Sequence, residues 1–287
     1  MNITYKCNNA CIYCISETTK THCFNIENAL EIIKKVDKKF LFSQNDIFIV
    51  NGGEPTLVEN FIDIINFLKL KKCKINIYTN GRKLNNNKIK KLLNDSNIRW
   101  IVPFYGLEAN HKKYTGKINS FSDTYNSIFQ LTKHERKNIC LKFLIKEKEQ
   151  IADFEKLLEM LKWDNEIHIS LILDNNIQER IQLTTHLQVF IDKLITDRGS
   201  LKVSNIPLCF LSKRIKTILK NYDFNVEDHI NKYYFIDINE TYPIEYDCIH
   251  KWIENCNKCE FINYCPDNCK KYRALKLTLN NVCLAQE

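Results

Sequence analysis

Apolar segments that suit β-strands alternate with amphipathic segments that suit helices over the first 175 residues, and this alternation limits the possible folds most strongly. The candidate strands are Ile3–Tyr5, Ile47–Val50, Ile75–Thr79, Trp100–Phe104, Leu141–Ile145 and Ile167–Leu173. The candidate helices are Glu27–Lys38, Phe61–Leu70, Lys88–Asn94, Asp123–Thr132 and Ala152–Leu161. Repeated strand–helix–strand units favour parallel strands, and right-handed crossovers wind them into a barrel or part of one. The sequence therefore predicts an α/β fold with a partial (βα)6 TIM-like barrel.

The alternation stops at about residue 176. A long helical stretch then runs to about Thr196, Arg198–Ser200 is typical of a turn, and cysteines become dense from Cys248 onward. We therefore expect residues 1–200 to form the barrel domain and residues 201–287 to form a smaller cysteine-rich domain.

Composition narrows the class of protein. With 44% apolar residues, 11% aromatic residues and five prolines, the chain can bury a sizeable core. No apolar run reaches the ~18 residues that span a bilayer, and the N-terminus lacks a secretory signal pattern. We expect a cytoplasmic protein without a membrane partner, in which the 13 cysteines are metal ligands rather than disulfides.

The net charge of +8 raises the question of a nucleic-acid partner. Only seven of the 42 basic residues are Arg, and the Lys residues are dispersed along the chain without a block that interleaves with aromatics. A solvated basic surface is therefore expected rather than nucleic-acid binding, and a modest attraction to an acidic substrate stays open.

Three cysteines follow the first predicted strand with the spacing C-x3-C-x2-C: Cys7, Cys11 and Cys14. A structural zinc site usually has four protein ligands. A 4Fe–4S cluster that is held by three cysteines keeps one iron open, and an open metal position is what distinguishes a catalytic site from a structural one. A zinc knuckle, or core thiols that are neighbours by chance, is the alternative.

A second motif, "NGGEPT", follows the strand Ile47–Val50. Gly52 and Gly53 let the backbone approach a ligand closely, Glu54 offers an acceptor for an ammonium group, and Pro55 restricts the turn. Active sites in such folds lie at the carboxyl ends of the strands. The cysteines and this motif are therefore predicted to share one site.

The cysteine spacing, with the aromatic Tyr13 before the third cysteine, and the GGEP stretch together resemble the radical S-adenosylmethionine (radical SAM) enzymes. The resemblance implies that the three cysteines hold a 4Fe–4S cluster and that SAM binds its open iron. One electron then splits SAM, and the resulting 5′-deoxyadenosyl radical abstracts a substrate hydrogen. The resemblance also implies that the GGEP stretch binds the methionine amino group and that Tyr13 packs near the adenine.

Two further strand ends resemble the family more weakly. They are Tyr78–Gly81 ("YTNG") and Val102–Gly106 ("VPFYG"), and they imply Asn80 and Tyr105 as SAM contacts. The segment "HKKYTG" followed by "SFSDTYNSI" is similar to peptide-modifying members. Sequence does not assign a catalytic acid or base among residues such as Asp174, Glu108 or Tyr105, and the seven histidines are scattered.

The C-terminal cysteines have the spacing C-x2-C-x5-C-x3-C and resemble the SPASM motif, which carries auxiliary iron–sulfur clusters. The resemblance implies one auxiliary cluster on Cys256, Cys259, Cys265 and Cys283. It implies a second on Cys269 with the upstream Cys248 and Cys209. The glycine that usually precedes the upstream cysteine is missing. Three alternatives therefore remain: the second cluster has one iron without a protein ligand, the second cluster is absent, or a twitch-like arrangement holds a single cluster. A structural zinc ribbon is a further alternative.

Three cysteines are left over: Cys23, Cys73 and Cys140. Cys73 and Cys140 lie just before predicted strands and are expected to be core thiols.

The resemblance implies a peptide or protein substrate, which a RiPP-type maturase would crosslink, epimerise or oxidise. It also implies an electron donor such as flavodoxin or ferredoxin. Because only six residues precede Cys7, we expect either a separate leader-binding protein or no leader, as in anaerobic sulfatase maturases. The alternatives are a radical SAM enzyme that acts on a small metabolite, sugar or nucleotide, and a non-catalytic zinc-stabilised binding protein.

Overall fold

The computed structural model describes residues 2–14, 29–44, 46–172, 177–198, 200–204, 234–236, 241–243 and 275–278. The chain divides into two compact units. The first comprises residues 1–141 and 233–243, and the second comprises residues 142–232 and 244–287.

The first unit has a parallel sheet with helices between its strands. Its strands are β1 (Ile47–Val50), β2 (Lys74–Tyr78), β3 (Ile98–Phe104) and the start of β4 (Ile139–Ile145). Its helices are α1 (Ala29–Phe40), α2 (Phe61–Leu70), α3 (Asn87–Leu93), α4 (Glu108–Thr115), α5 (Ser120–Phe129) and α6 (Lys133–Arg136). β1 pairs in parallel with β2 and β2 with β3, so that Ile47 faces Lys74 and Ile75 faces Ile98. Two short strands, β7 (Tyr234–Ile236) and β8 (Thr241–Pro243), pair antiparallel.

The apolar pattern explains these elements. In α2, Phe61, Ile64, Ile65 and Leu68 are buried and lie on one face at helical spacing. β3 is buried along most of its length, and Trp100 and Phe104 are fully buried in it. Buried parallel strands of this kind read as continuous apolar runs because helices cover their faces.

The second unit continues the strand–helix succession. It contains the rest of β4, then α7 (Glu149–Leu161), β5 (Ile167–Leu171), α8 (Ile177–Arg198), β6 (Ser200–Ser204) and β9 (Leu275–Thr278). β5 and β6 are parallel, and β9 pairs antiparallel with β6. The rings of Phe143 and Phe154 stack with centroids 4.2 Å apart, which packs α7 against its strand.

The two ends of the strand succession differ from the prediction. The expected first strand, Ile3–Tyr5, is not a strand in the structure. A parallel bridge joins Asn2 to Asn51, and backbone hydrogen bonds run from Ile3 N to Asn51 O and from Gly53 N to Thr4 O. The prediction that the alternation stops at about residue 176 was wrong, because β6 follows α8 and pairs with β5. Leu201 and Val203 of β6 are buried on alternate positions, a period-two signal over too few residues to stand out in the sequence.

The predicted fold class is confirmed. Six strands, β1 to β6, follow each other in βα order, and within the described part of each unit the parallel strands form an open sheet rather than a closed ring. Within the described residues, every helix is too short or too polar to span a lipid bilayer. The iron–sulfur extension and the boundary near residue 200 remain predictions, since most of residues 205–287 lies outside the described residues.

Candidate active site

Cys7, Cys11 and Cys14 line one cavity of about 140 Å³ at the carboxyl ends of β1, β2 and β3. The rest of the lining comes from three strand-end motifs and includes Asn51, Gly52, Gly53, Asn80 and Tyr105. Seven residues that sequence reasoning assigned to the cluster or to SAM thus meet in one place. A larger depression of about 450 Å³ along α7 and α8 contains none of the predicted site residues.

The Gly-Gly turn holds the segment that leads into Cys7. Gly53 N donates to Thr4 O at 2.6 Å, and Glu54 N donates to Lys6 O at 2.8 Å. A β-carbon on Gly53 would stand 2.2 Å from Lys6 O, and one on Gly52, whose φ is +128°, would stand 2.2 Å from Thr4 O. The chain therefore needs glycine here for a close approach of its own backbone, in addition to any approach of a ligand.

The far side of the cysteine loop is attached to the end of α4. Ala10 N donates to Thr115 O at 2.8 Å, and Ile12 N donates to Tyr114 O at 3.0 Å. α4 is capped by Gly116, whose φ of 67° is left-handed and where a β-carbon would stand 2.7 Å from Ala10 O. Backbone bonds on both sides thus determine the path of the loop that carries the three thiols.

Glu54 is fully buried, and its carboxylate joins two strand ends. Its Oε1 accepts from Thr56 N at 3.1 Å, Thr56 Oγ1 at 2.5 Å and Thr79 Oγ1 at 2.6 Å. Its Oε2 accepts from Asn80 N at 2.7 Å. Burial raises the pKa of this carboxyl, against the effect of its hydrogen bonds. The side chain connects the turn after β1 to the turn after β2, and neither Glu54 nor Pro55, which begins the 3₁₀ turn Pro55–Leu57, lines the cavity.

Asn80 lines the cavity and also supports the cysteine loop. Its Nδ2 donates to Asn8 Oδ1 at 2.6 Å, and its Oδ1 accepts from Arg82 N at 3.1 Å. Its carbonyl accepts from Thr124 Oγ1 of α5 at 2.8 Å. Asn80 is therefore hydrogen-bonded within the protein through its side-chain nitrogen, its side-chain oxygen and its backbone carbonyl.

Arg82 is a site residue that sequence reasoning missed. Its Nη1 donates to Asn8 O at 2.6 Å and to Asn9 Oδ1 at 3.2 Å, within the loop between the first two cysteines. Its Nε and Nη2 donate to Asp123 Oδ2 at 3.0 and 2.5 Å. A single arginine after a glycine has no sequence signal that would single it out.

Burial and neighbouring charges raise the pKa of two of the three thiols, Cys7 and Cys11. Burial is the main cause for both. The charges of Glu54 and Cys14 add to it for Cys7, and those of Cys7 and Cys14 add to it for Cys11, whose pKa rises to about 12. Burial, and then the charges of Cys11 and Cys14, raise the pKa of Tyr105, whose hydroxyl is hydrogen-bonded to the Cys11 sulfur. Three thiolates around one cavity are therefore costly unless a cation neutralises them.

His111 is a second lining residue that sequence reasoning missed. It is 1% exposed, and its ring lies among those of Phe104, Tyr105 and Phe121 with centroids 5.4 to 5.9 Å away. Its Nδ1 accepts a long hydrogen bond from Tyr105 N at 3.4 Å. Burial, and then the charge of Arg82, lower its pKa to about 3, so that the imidazole is neutral.

Tyr13 and Asn51 differ in their position relative to the cavity. Tyr13 does not line the cavity; it is 41% exposed, and its ring centroid lies 5.9 Å from that of Tyr114. Asn51 does line the cavity, and no described residue donates to its Oδ1, although that atom is buried. A buried acceptor of this kind is costly unless a ligand satisfies it.

The remaining predicted metal ligands lie outside the described residues: Cys209, Cys248, Cys256, Cys259, Cys265, Cys269 and Cys283. Cys23 and Asp174 also lie outside them. Cys73 and Cys140 are buried, as expected for core thiols. Among the described side chains, no three His, Cys, Asp or Glu groups converge where a single metal ion could bind.

The family model described as the Radical SAM superfamily matches residues 1–161, which is more than half of the chain. A search of curated proteins found no match.

Solved structures share the fold at low sequence identity. SuiB of Streptococcus suis bound to S-adenosylmethionine is 14% identical with a TM-score of 0.50, and the match covers 70% of this chain and 45% of SuiB. SuiB bound to the precursor peptide SuiA is 15% identical with a TM-score of 0.51, over 67% of this chain and 45% of SuiB. The structure of anSMEcpe with bound AdoMet and Cp18Cys peptide is 15% identical with a TM-score of 0.65, over 99% of this chain and 92% of that one. The chain thus spans less than half the length of SuiB.

Proposed function

Because this chain belongs to the radical SAM superfamily of enzymes, we propose that it cleaves SAM reductively and uses the 5′-deoxyadenosyl radical to take a hydrogen atom from a peptide or protein. One observation carries this proposal: Cys7, Cys11 and Cys14 line the same cavity as Gly52 and Gly53, which follow them by about forty residues in sequence. Members of the family use SAM and a 4Fe–4S cluster.

The donor set fits such a cluster. The charges of Cys7 and Cys14 oppose the ionisation of Cys11, and an iron–sulfur cluster supplies the positive charge that reverses this effect. Cys7, Cys11 and Cys14 would hold it. When bound, the cluster supplies one electron to SAM, which yields methionine and the radical.

The other residues of the cavity would bind and orient SAM. We assign the backbone of Gly52 and Gly53, the acceptor Oδ1 of Asn51 and the side chain of Asn80 to the polar groups of the ligand. Tyr105 would contact SAM from the end of β3. Glu54 and Pro55 would shape the turn from behind the cavity wall, and Tyr13 would contact the adenine from the rim.

The proposal also specifies a peptide or protein as the substrate. It is supported by the similar fold of anSMEcpe, whose structure contains a Cp18Cys peptide, and of SuiB, which was solved with a precursor peptide. We propose a RiPP-type maturation that crosslinks, epimerises or oxidises the substrate. A separate leader-binding protein and a one-electron donor such as flavodoxin or ferredoxin are the proposed partners.

The first experiment tests the radical chemistry. The protein is reconstituted anaerobically with iron and sulfide, reduced in the presence of SAM and assayed for 5′-deoxyadenosine. Replacing Cys7, Cys11 and Cys14 with Ala is expected to abolish this product while the fold is retained. Replacing the buried Cys73 or Cys140 with Ala serves as the matched control and should leave the product in place. A colourless, zinc-loaded wild type that never yields 5′-deoxyadenosine would support a binding module instead.

The second experiment counts clusters. We propose that the C-terminal cysteines hold one or two auxiliary 4Fe–4S clusters, with Cys209, Cys248, Cys256, Cys259, Cys265, Cys269 and Cys283 as the ligands. Iron analysis after reconstitution should then give about eight or twelve atoms per chain, and about four would mean the radical-site cluster alone. Replacing Cys256 and Cys259 should lower both the iron content and the solubility, because a metal staples a loop-rich segment of this size.

The third experiment identifies the substrate class. Candidate peptides from neighbouring open reading frames are incubated with the reduced enzyme and SAM, and mass spectrometry detects a loss of hydrogen or a new bond. A product from a sugar, nucleotide or other small metabolite, with none from any peptide, would replace the peptide proposal.

A further inference from the structure

We propose that the ion pair of Arg82 and Asp123 positions the cysteine loop and sets the reduction potential of the cluster that this loop binds. This inference rests on the proposed function, because it concerns the metal centre assigned to Cys7, Cys11 and Cys14.

The geometry places one guanidinium between two parts of the chain. On one side, Arg82 Nη1 donates to the carbonyl of Asn8, the residue that follows Cys7, at 2.6 Å. On the other side, Nε and Nη2 both donate to Asp123 Oδ2 on α5. Asn80 supports the same loop through Asn8 Oδ1. The loop between Cys7 and Cys11 is thus connected to the ends of β2 and α5 by side chains.

The arginine is better suited to this position than a lysine would be. Its rigid fork directs donors to Asn8, Asn9 and Asp123 at the same time, whereas an ammonium group is one compact charge. The arginine side chain is 16% exposed and its aspartate partner 43% exposed. Because the carboxylate of the pair is half-exposed, its charge interaction with Arg82 contributes little to folding. The more important effects of the pair are on the position of the loop and on the local charge.

The two charges of the pair act on the reduction potential with opposite signs. The reduced cluster carries one more negative charge than the oxidised cluster, so a nearby cation stabilises the reduced form and a nearby anion destabilises it. The charge of Arg82 does reach the cavity wall, since it contributes to the lowered pKa of His111. Asp123 attenuates this positive field.

The test is a redox titration of the reconstituted protein, monitored by electron paramagnetic resonance. The signal that changes when SAM is added identifies the radical-site cluster. Arg82→Gln is expected to make the potential of this signal more negative, and Asp123→Asn is expected to make it less negative. Each change should alter the ratio of reduced to oxidised cluster about tenfold, which is ~59 mV for a one-electron couple.

A third variant separates charge from geometry. Arg82→Lys keeps the cation but cannot reach Asn8 and Asp123 together. Its potential should lie nearer to that of the wild type than the potential of Arg82→Gln, while its signal should respond less to SAM because the loop is less well positioned. Lys69→Gln and Asp95→Asn, which break an ion pair of 2.7 Å at the amino end of β3, serve as matched controls and should leave the potential unchanged.

The outcomes are separable. Potentials that shift in the same direction for Arg82→Gln and Asp123→Asn, or that do not shift, overturn this inference while the proposed function stands. If Arg82→Gln assembles no cluster, Asp123→Asn still decides the sign, because it keeps the cation at position 82 and removes only the anion. If no signal of the wild type responds to SAM, the proposed function fails and this inference fails with it.

Discussion

The carboxylate of Glu54 accepts a hydrogen bond of 2.6 Å from the hydroxyl of Thr79, which joins the turn after β1 to the end of β2 across 25 residues of sequence. The acidic residue of the GGEP motif thus points into the protein, behind the cavity wall formed by Gly52 and Gly53. Its position suggests that the motif preserves the shape of the wall as much as it offers atoms to a ligand.

Glu54→Gln is expected to lower the free energy of unfolding by about 1–3 kcal/mol, since the amide replaces one acceptor oxygen with a donor that faces other donors. Urea denaturation of the reconstituted protein measures the change. Glu59→Gln, at an exposed position before α2, is the control and should leave the transition unchanged. An unaltered midpoint for Glu54→Gln would contradict the bridging role.

Gly53→Ala is expected to displace the segment that leads into Cys7, because its β-carbon would stand 2.2 Å from Lys6 O. A backbone atom cannot move aside as a flexible side chain can. We expect less iron per chain after reconstitution and weaker SAM binding, measured by iron analysis and by isothermal titration calorimetry. Normal iron content together with normal affinity would show that the loop tolerates the displacement.

Asn51→Ala is expected to weaken SAM binding about tenfold or more, since it removes the buried acceptor Oδ1 in the cavity wall. The iron content should not change, because Asn51 is not a proposed cluster ligand. Asn97→Ala, at an exposed position before β3, is the matched control. Equal SAM affinities for the wild type and Asn51→Ala would remove this residue from the ligand site.

Because His111 is buried, we expect the free energy of unfolding to depend on pH. Burial lowers its pKa from 6.5 to about 3, so that below pH 6.5 the unfolded chain binds a proton that the folded chain does not. The free energy of unfolding should therefore fall as the pH falls, by about 1 kcal/mol between pH 7 and 5.5 from this group.

His111→Phe, which keeps an aromatic ring among Phe104, Tyr105 and Phe121, should flatten this part of the profile. His134→Gln changes an exposed histidine and should not. The comparison uses urea denaturation at both pH values. A profile that is as steep in His111→Phe as in the wild type would show that other groups are responsible.

Local patterns were enough to predict much of the fold. The bounds of β1 and α2 agree with the prediction, and those of β2, β3 and α3 differ by one or two residues. The reason is that the period of burial is visible along the chain: about 3.6 residues for α2 and a short continuous apolar run for a parallel strand such as β1. The same strand ends indicated where the cysteines and the Gly-Gly turn would meet.

The elements that were missed or misplaced lack such a period. The expected first strand is not a strand in the structure, and α4 follows β3 without a strong apolar face, so that sequence reasoning did not predict it. β6 pairs with β5 after a helix of 22 residues and has only two buried apolar side chains. Their formation depends on neighbours that are distant in sequence.

For the site, the residue order was sufficient to indicate the family, because the spacing of Cys7, Cys11 and Cys14 and the run Asn51–Thr56 are local features. The partners of the polar side chains were settled only in three dimensions. Glu54 accepts a hydrogen bond from Thr79, and Arg82 donates to Asp123. His111 is neutral because folding buries it among aromatic rings, which lowers its pKa. Hydrogen bonds and desolvation depend on distances of a few ångströms between segments that lie tens of residues apart, and no pattern along the chain encodes those distances.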